Sequence, residues 1–403
     1  MSKATAQMTE IAVVGSGPSG MIAALLLSAR GFTTVLVGPK AKADPRTTAL
    51  LDASVAILSD LGVWDDIAPL AAPLRQMRLI DDTGRLVRAP ETLFDSSEIG
   101  LEAFGYNVLN NDLNAVLEKA LDRSQVTRIE AFAEAVRPPA AGRLDNVEID
   151  IEGRDAPLCA KLVVASDGRE SRVRDAAGIA VRRWSYPQSA LVANLSHGRP
   201  HDDTSTEFHT PHGPFTLVPL KGNRSSLVWV GEPAAIETAA ALGEEAFATE
   251  VERHAKSILG PMKLESGRQV FPLSGMKAKT VAARRIALVG ETAHVFPPIG
   301  AQGLNLSLRD VAVLGQTCER ARSNGQDIGG ETALAAYAAA RRGDIDTRIF
   351  GVDTLNRTLL ADFLPIQMVR GLGLYLAGQV GPLRRLLMRE GVAPSFRGRA
   401  KSA

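Results

Sequence analysis

Between Arg285 and Asp310 the chain sets a carboxylate, a histidine, two prolines and a glycine-rich loop in one short stretch, RIALVGETAHVFPPIGAQGLNLSLRD. Ile286-Ala-Leu-Val289 reads as a buried strand. Gly290-Glu291 then places a carboxylate at that strand's carboxyl end, where open α/β sheets bind their ligands. Gly300-Ala-Gln-Gly303 follows, and a helix is predicted from near Leu304. A glycine-lined helix start presents free backbone N–H groups and a partial positive charge, which suits a phosphate or another electron-rich group. Histidine is the side chain whose charge changes near neutrality, so His294 is a candidate proton acceptor or relay. The bland alternative is a structural histidine hydrogen-bonded within its loop.

A second glycine cluster stands near the N-terminus. The apolar run Ile11-Ala-Val-Val14 leads into Gly15-Ser-Gly17-Pro18-Ser19-Gly20 and a helical stretch from Met21 to about Ala29. This is GxGxxG after a strand and opening a helix, the context in which it signals dinucleotide binding. Gly15 suits the tight turn, Gly17 lets backbone approach a pyrophosphate, and Gly20 permits close helix–strand packing. The stretch from Ile11 to Ala29 is uncharged, but its glycines and the following strand Thr33–Val37 predict a buried βαβ unit and not a membrane span. The acid expected about twenty residues on, for a ribose, is absent: Gly38 stands in its place, with Lys40 and Lys42 nearby. A glycine with nearby bases also suits a 2′-phosphate. This half alone leaves FAD, NAD and NADP open.

A third segment repeats the pattern. Leu162-Val-Val-Ala-Ser-Asp167-Gly168 is a strand running into Asp-Gly, and Arg169 to Arg174 reads as a basic helix start. Taken together, the three segments resemble the single-component FAD aromatic hydroxylases of the p-hydroxybenzoate hydroxylase type. That family carries GxGxxG, a strand-DG motif and a strand-GD motif in this order. Within it, GETAHVFPPIGAQGLNLSLRD, Arg46-Thr-Thr-Ala-Leu50, Gly213-Pro-Phe-Thr-Leu-Val-Pro-Leu220 and Phe271-Pro-Leu273 look most like the ubiquinone-biosynthesis hydroxylases.

The resemblance implies a Rossmann-like α/β FAD-binding domain with an inserted β-sheet substrate domain and a C-terminal helical region. It implies FAD as cofactor, with NAD(P)H and O2 as co-substrates, and a flavin hydroperoxide that hydroxylates an electron-rich ring. Gly15, Gly17, Pro18, Ser19 and Gly20 would receive the FAD pyrophosphate, and Arg46 would lie near the phosphates or the nicotinamide nucleotide. Asp167 and Gly168 would serve both nucleotides, and Gly290 and Glu291 the ribitol and pyrophosphate region. Pro297, Pro298, Gly300, Gln302, Gly303, Leu304 and Asn305 would line the flavin ring, with Pro297 beside His294 as the catalytic candidates. Three residues depart from the family pattern. Gly38 replaces the ribose acid, Glu291 stands where Asp is usual, and Asn111 stands where relatives of the form Tyr-x-x-x-Asn-Arg have Arg.

The elements that must position these groups are interleaved. Residues 1–72, 103–182 and 276–345 are assigned to the FAD domain, 73–102 and 183–275 to the substrate domain, and 346–403 to a C-terminal helical region with a basic tail. Arg75–Val87 is predicted as a two-stranded ribbon turning at Asp82-Thr-Gly84, and Leu113–Leu121 as a helix buried along Leu113, Val116, Leu117 and Ala120. Ala190–Leu195, Thr206–His209, Phe215–Leu220 and Ser226–Val230 are strand candidates. Alternation puts Phe215, Leu217 and Pro219 on one face, as an apolar substrate wall or as ordinary core. His209-Thr-Pro-His212 reads as a loop, not a metal site.

Composition sets the bounds. The 403 residues are 45% hydrophobic with a formal net charge of +1, enough for two cores and without the footprint of a nucleic-acid binder. Cys159 and Cys318 are too few for a disulfide scaffold and fit a reducing cytoplasm. Thr358–Leu376 is apolar and broken by Pro365, and from Val380 onward six basic residues face one acid, Glu390. An apolar helix before a basic tail could sit at the inner face of an anionic membrane, within reach of a polyprenylated substrate. A helix packed on the FAD domain with a solvated tail is the alternative. The functional expectation is ring hydroxylation of a polyprenylated phenol. Hydroxylation of a small soluble aromatic, flavin halogenation, prenyl-chain reduction and a non-catalytic flavoprotein subunit of a biosynthetic assembly are the competing readings. Self-association and membership of a multi-enzyme complex stay open.

Overall fold

The computed structural model describes residues 6–84, 90–140, 142–143, 145–298, 302–360, 384–385 and 388–389. The apolar runs read from sequence form a parallel sheet. Gln7–Val14 lies between Thr34–Val37 and Leu158–Ala165, and Ile286–Leu288 adds beyond Leu158–Ala165, all parallel. Thr127–Ile129 extends the other side beyond Thr34–Val37. Val14 pairs with both Val37 and Ala165, and Ala165 pairs with Leu288, so four strands end at one level. The loops that follow those strands therefore meet at one edge.

Pro18–Ala29 and Gln302–Ser323 cover this sheet. Residues Gly20 to Leu27 of the first helix are all buried, as expected for a helix apolar on every side. Gly315 lets the second helix come close: a Cβ there would lie 2.5 Å from Leu26. Asn110–Asp122 buries Leu113, Val116, Leu117 and Ala120 as its periodicity predicts.

The second sheet has nine strands. Its middle is Val181–His197, Arg224–Gly231, Gly213–Leu220 and Thr204–Thr210, paired antiparallel in that order. Gln269–Ala278 pairs with the other side of Val181–His197 and then with His294–Val295, which belongs to the loop after Gly290. That last pairing ties the substrate sheet to the cofactor loop. A small three-stranded sheet of Thr47–Leu51, Gly105–Leu109 and Ala72–Pro73 is interleaved in sequence with strands of the two larger ones.

Four expectations change. The ribbon starting near Arg75 returns along Thr92–Asp95, which pairs with Gln76–Asp81; residues 85–87 of the expected return lie outside the described ones. His209 lies inside the strand Thr204–Thr210, in line with the strand candidate Thr206–His209 and not with the loop reading of His209–His212, because Pro211 falls just past the strand's last residue and removes no ladder hydrogen bond. Phe215 and Leu217 are core, not wall. They pack with Phe208, Leu227, Trp229, Ile236, Phe247 and Val251 beneath the helices Pro233–Ala241 and Glu244–His254. Pro219 is buried and shares their side of the strand. The alternation was right, but period two does not say which face meets which layer. The C-terminal helix Glu331–Leu360 begins before the expected boundary at 346, and Gly300 and residues 361–383 lie outside the described ones.

Candidate functional site

The three glycine-rich motifs converge at the common strand end. Gly15 turns the chain out of the first strand with φ +113°, and a Cβ there would overlap the backbone of Ser166. Gly20 packs so tightly on the Gly15 carbonyl that no side chain fits. Gly290, at φ +63°, would place a Cβ 2.8 Å from Ser307 Oγ and 3.3 Å from Ser19 Oγ. The phosphate-type loop, the strand-DG turn, the Gly290 turn and the first turns of Gln302–Ser323 thus share one small volume.

This volume fits a dinucleotide. Gly17 opens the helix Pro18–Ala29 with no side chain capping it, and a Cβ at Gly17 would meet nothing within 4 Å. The N–H groups of that first turn are left to a ligand, and the dipole favours an anion there. Pro18 stands at the helix start, where its missing N–H costs nothing. Gly303 likewise has open space where a side chain would be, at the start of Gln302–Ser323. Leu304 is half-buried, Pro297 is buried and Pro298 is exposed, so the first proline of the pair faces inward.

Asp167 is held by its own turn. It accepts from Ser171 Oγ at 2.5 Å and from the Val173 N–H at 3.3 Å. Burial pushes its carboxyl up from the ordinary value, against the pull of these hydrogen bonds. Gly168 follows at φ +89°. Glu291 is exposed and takes Arg169 at 3.3 Å. Arg46 stands near the same acid, and its guanidinium is held by Asp44 at 2.8 and 2.7 Å. The Asp44 hydrogen bond, and then the charges of Asp44 and Glu291, raise Arg46 above its ordinary value despite burial. Asn111, the departure from the family's Arg, accepts the Asp44 N–H at 2.7 Å, and Asn110 donates to Asp44 Oδ2 at 2.8 Å. The amides fix the acid that fixes Arg46.

His294 and Asn305 hold the frame. His294 Nε2 lies 2.7 Å from Asp310 Oδ2, and Asp310 also accepts from the Gly290 N–H at 3.0 Å and from Arg341 Nε at 2.7 Å. Burial would push Asp310 up; the charges of His294 and Arg341 and the hydrogen bonds from His294 and Gly290 outweigh it and hold the carboxyl below its ordinary value. Asn305 accepts from the Leu51 N–H at 2.9 Å and from Ser54 Oγ at 2.6 Å, and donates to the Ala49 carbonyl at 2.7 Å. It locks the helix start onto the strand that carries Arg46. Asp44, Ser307, Asp310 and Arg341 received no role from sequence. The available signal for Asp310 was a lone acid on the helix face that carries Leu306, Val313 and Leu314.

The substrate sheet turns its other face to this frame. Ser226 Oγ meets Thr47 Oγ1 at 2.9 Å, Asn194 donates to the Pro45 carbonyl at 2.8 Å, and Arg46 lies 5.5 Å over the Phe271 ring. On that face Glu207, Thr216, Val228, Val192 and Gln269 form one row of lateral partners across adjacent strands. All of them are half-buried, whereas Val230 and Ala190 on one side and Ser226 and Asn194 on the other are buried. This partly open row, with the exposed Phe271 beside Ala190, is the candidate cleft floor. A separate cavity of about 780 Å³, lined by Arg284, Gly329, Leu334 and Arg342, shares no residue with it.

A three-motif dinucleotide cradle facing a second β-sheet defines an FAD-dependent aromatic-ring monooxygenase. Residues 8–343 match the family model for the FAD binding domain, and the chain belongs to that family. It is 32% identical to ubiquinone hydroxylase UbiL of Rhodospirillum rubrum, over 95% of this chain and 89% of that protein. It is also 32% identical to 3-demethoxyubiquinol 3-hydroxylase of Escherichia coli, over 96% of this chain and 98% of that one. Among solved structures, p-nitrophenol 4-monooxygenase PnpA from Pseudomonas putida superposes with a TM-score of 0.77 at 20% identity, covering 95% of this chain and 98% of that one. That likeness speaks for the fold.

Proposed function

We propose that this protein hydroxylates the aromatic ring of a polyprenylated phenol on the route to ubiquinone, using NAD(P)H and O2. The cleft floor carries the reading: Val228 and Val192 offer an apolar bed beside the cofactor frame, and the relatives named for ubiquinone hydroxylation match over nearly the whole chain. FAD, when bound, supplies the oxygen activation that ring hydroxylation needs. The chain supplies the rest. Gly15, Gly17 and Gly20 would hold the pyrophosphate, and the start of Gln302–Ser323 would favour negative charge on the reduced ring. The second sheet covers the cleft and keeps water from the reacting ring. A soluble aromatic acid fits less well, because the floor row offers its carboxylate no cation and includes the acid Glu207.

We further propose a peripheral position at the inner, anionic face of a membrane. The six basic residues after Val380 support it. Among the described residues no helix is long and apolar enough to cross a membrane.

The deciding experiment is aerobic NAD(P)H oxidation by the FAD-loaded protein, with and without a prenylated methoxyphenol. Phenol-stimulated oxidation with an oxygenated product is expected. Oxidation indifferent to the phenol, with no oxygenated product, rejects the reading.

A further inference from the structure

The cleft floor has a polar stretch. Glu207 stands four strand spacings and so roughly 19 Å from Gln269, and the half-buried Leu79 is its partner on the far side. His209 Nε2 lies 2.8 Å from Glu207 Oε1, and Thr216 Oγ1 donates to Glu207 Oε2 at 3.3 Å. The His209 side chain is 6% exposed and that of Glu207 22%, so the acid, not the imidazole, meets the cleft. A carboxylate offers about four acceptor positions, and these contacts use one on each oxygen. The remaining capacity sits next to Thr216, and beyond it the row turns apolar at Val228 and Val192. An aromatic ring lying on the two valines brings a neutral hydroxyl within reach of this acceptor.

We propose that Glu207 accepts the hydrogen bond of the substrate's ring hydroxyl and thereby sets which ring edge faces the cofactor. Glu207 touches the substrate. His209 and Thr216 are positioning residues that hold its carboxylate. The assignment rests on the phenol-hydroxylase reading above and adds the group that recognises the phenol. A site that binds a hydroxyl through a buried acceptor also rejects the analogue that lacks it, because the acceptor is then desolvated without a partner.

The test titrates the FAD-loaded full chain, by its flavin absorbance, with a prenylated methoxyphenol and with the same compound lacking the ring hydroxyl. The wild-type protein is expected to prefer the phenol by about ten- to a hundredfold, the range for a hydrogen bond to a charged group. Glu207→Leu is expected to lose most of that preference, with weaker binding of the phenol and equal or tighter binding of the deoxy compound, and Glu207→Asp to restore part of it. An unchanged preference in Glu207→Leu overturns the proposal. So does an equal loss of affinity for both compounds, which marks a structural role. If Glu207→Leu does not fold, Thr216→Val carries the same comparison, with a smaller loss of preference expected and an unchanged one overturning the assignment. A wild-type protein that answers to neither compound overturns the phenol reading, and the role of Glu207 with it.

Discussion

His294 Nε2 lies 2.7 Å from Asp310 Oδ2, with both side chains 1% exposed. The pair joins the turn after Gly290 to the helix that opens at Gln302, two walls of the candidate site. Arg341 adds a third wall from Glu331–Leu360 by bonding the other oxygen of Asp310. His294 has the residue type of a proton relay, but its Nε2 faces a buried carboxylate. The geometry gives it the task of holding the Gly290 turn in register with the helix.

Asp310→Asn tests this frame. The change removes the charge shared by His294 and Arg341, leaves Arg341 only Asp344 at 2.7 Å, and should cost about 3 kcal/mol of folding stability. The sign with pH follows from the direction of the shift. A carboxyl held below its ordinary value of 3.8 stabilises the fold fully above that value, and loses the contribution as pH falls through its folded value. Urea unfolding should show a gap between wild type and variant that is constant from about pH 7 to about pH 5 and narrows in stronger acid. A gap that keeps its size in strong acid would show that the carboxylate charge is not what stabilises the frame.

Gly38 makes a second prediction, because the missing ribose acid has a steric correlate. A Cβ at Gly38 would lie 2.9 Å from Ser16 N and 2.9 Å from Ser16 Oγ, inside the glycine-rich loop. Ser16 Oγ also bonds the Pro39 carbonyl, so it cannot swing away freely. Gly38→Glu, which restores the family's acid, should therefore weaken FAD binding by about 1–2 kcal/mol, roughly tenfold. Equilibrium dialysis with FAD measures it. A gain in affinity would show that the loop yields and that the acid finds its ribose.

The backbone requirements of the cofactor site were legible from sequence, and its side-chain partnerships were not. Gly15, Gly20 and Gly290 announce themselves because no other residue tolerates their contacts or φ angles. Strand runs such as Ile11–Val14 and Leu162–Ala165 announce a doubly covered parallel sheet by being apolar throughout. Asp310 did not, since an acid on a helix is ordinarily solvated, and only the distant Arg341 and His294 make it structural. The turn of the substrate sheet toward one layer or the other was also hidden. Phe215 and Thr216 alternate equally well whichever side the helices Pro233–Ala241 and Glu244–His254 take, and those helices come later in the chain.

The basic tail makes a third prediction. The chain after Val380 carries six basic residues and one acid, and each base near an anionic surface contributes about 1 kcal/mol. The full chain should float with vesicles containing anionic lipid, and float less as salt rises and screens the charges. A chain truncated after Asn356 that keeps its flavin spectrum should stay at the bottom of the gradient. Equal flotation of both removes the tail from any membrane role.

The two faces of Gly213–Leu220 make the fourth. Phe215 is fully buried, stacked 5.6 Å from His254 and edge-on to Trp229 at 5.6 Å. Phe215→Ala should open a cavity in the second core and cost about 3–5 kcal/mol, seen as a lower Tm. Below that Tm its KM for a prenylated phenol should change little, because the ring does not reach the cleft. Val228 is the opposite case. It is half-buried on the floor row, between Thr216 and Val192, where a larger side chain would project into the space assigned to the substrate ring. Val228→Trp should raise KM at least about tenfold, since a lost ring contact is worth about 1–3 kcal/mol, while Tm moves little. Steady-state kinetics and thermal melts on the same two variants separate the effects. If Phe215→Ala raises KM and Val228→Trp does not, the substrate lies on the helix-covered face and the cleft floor assigned to Val228 and Val192 is wrong.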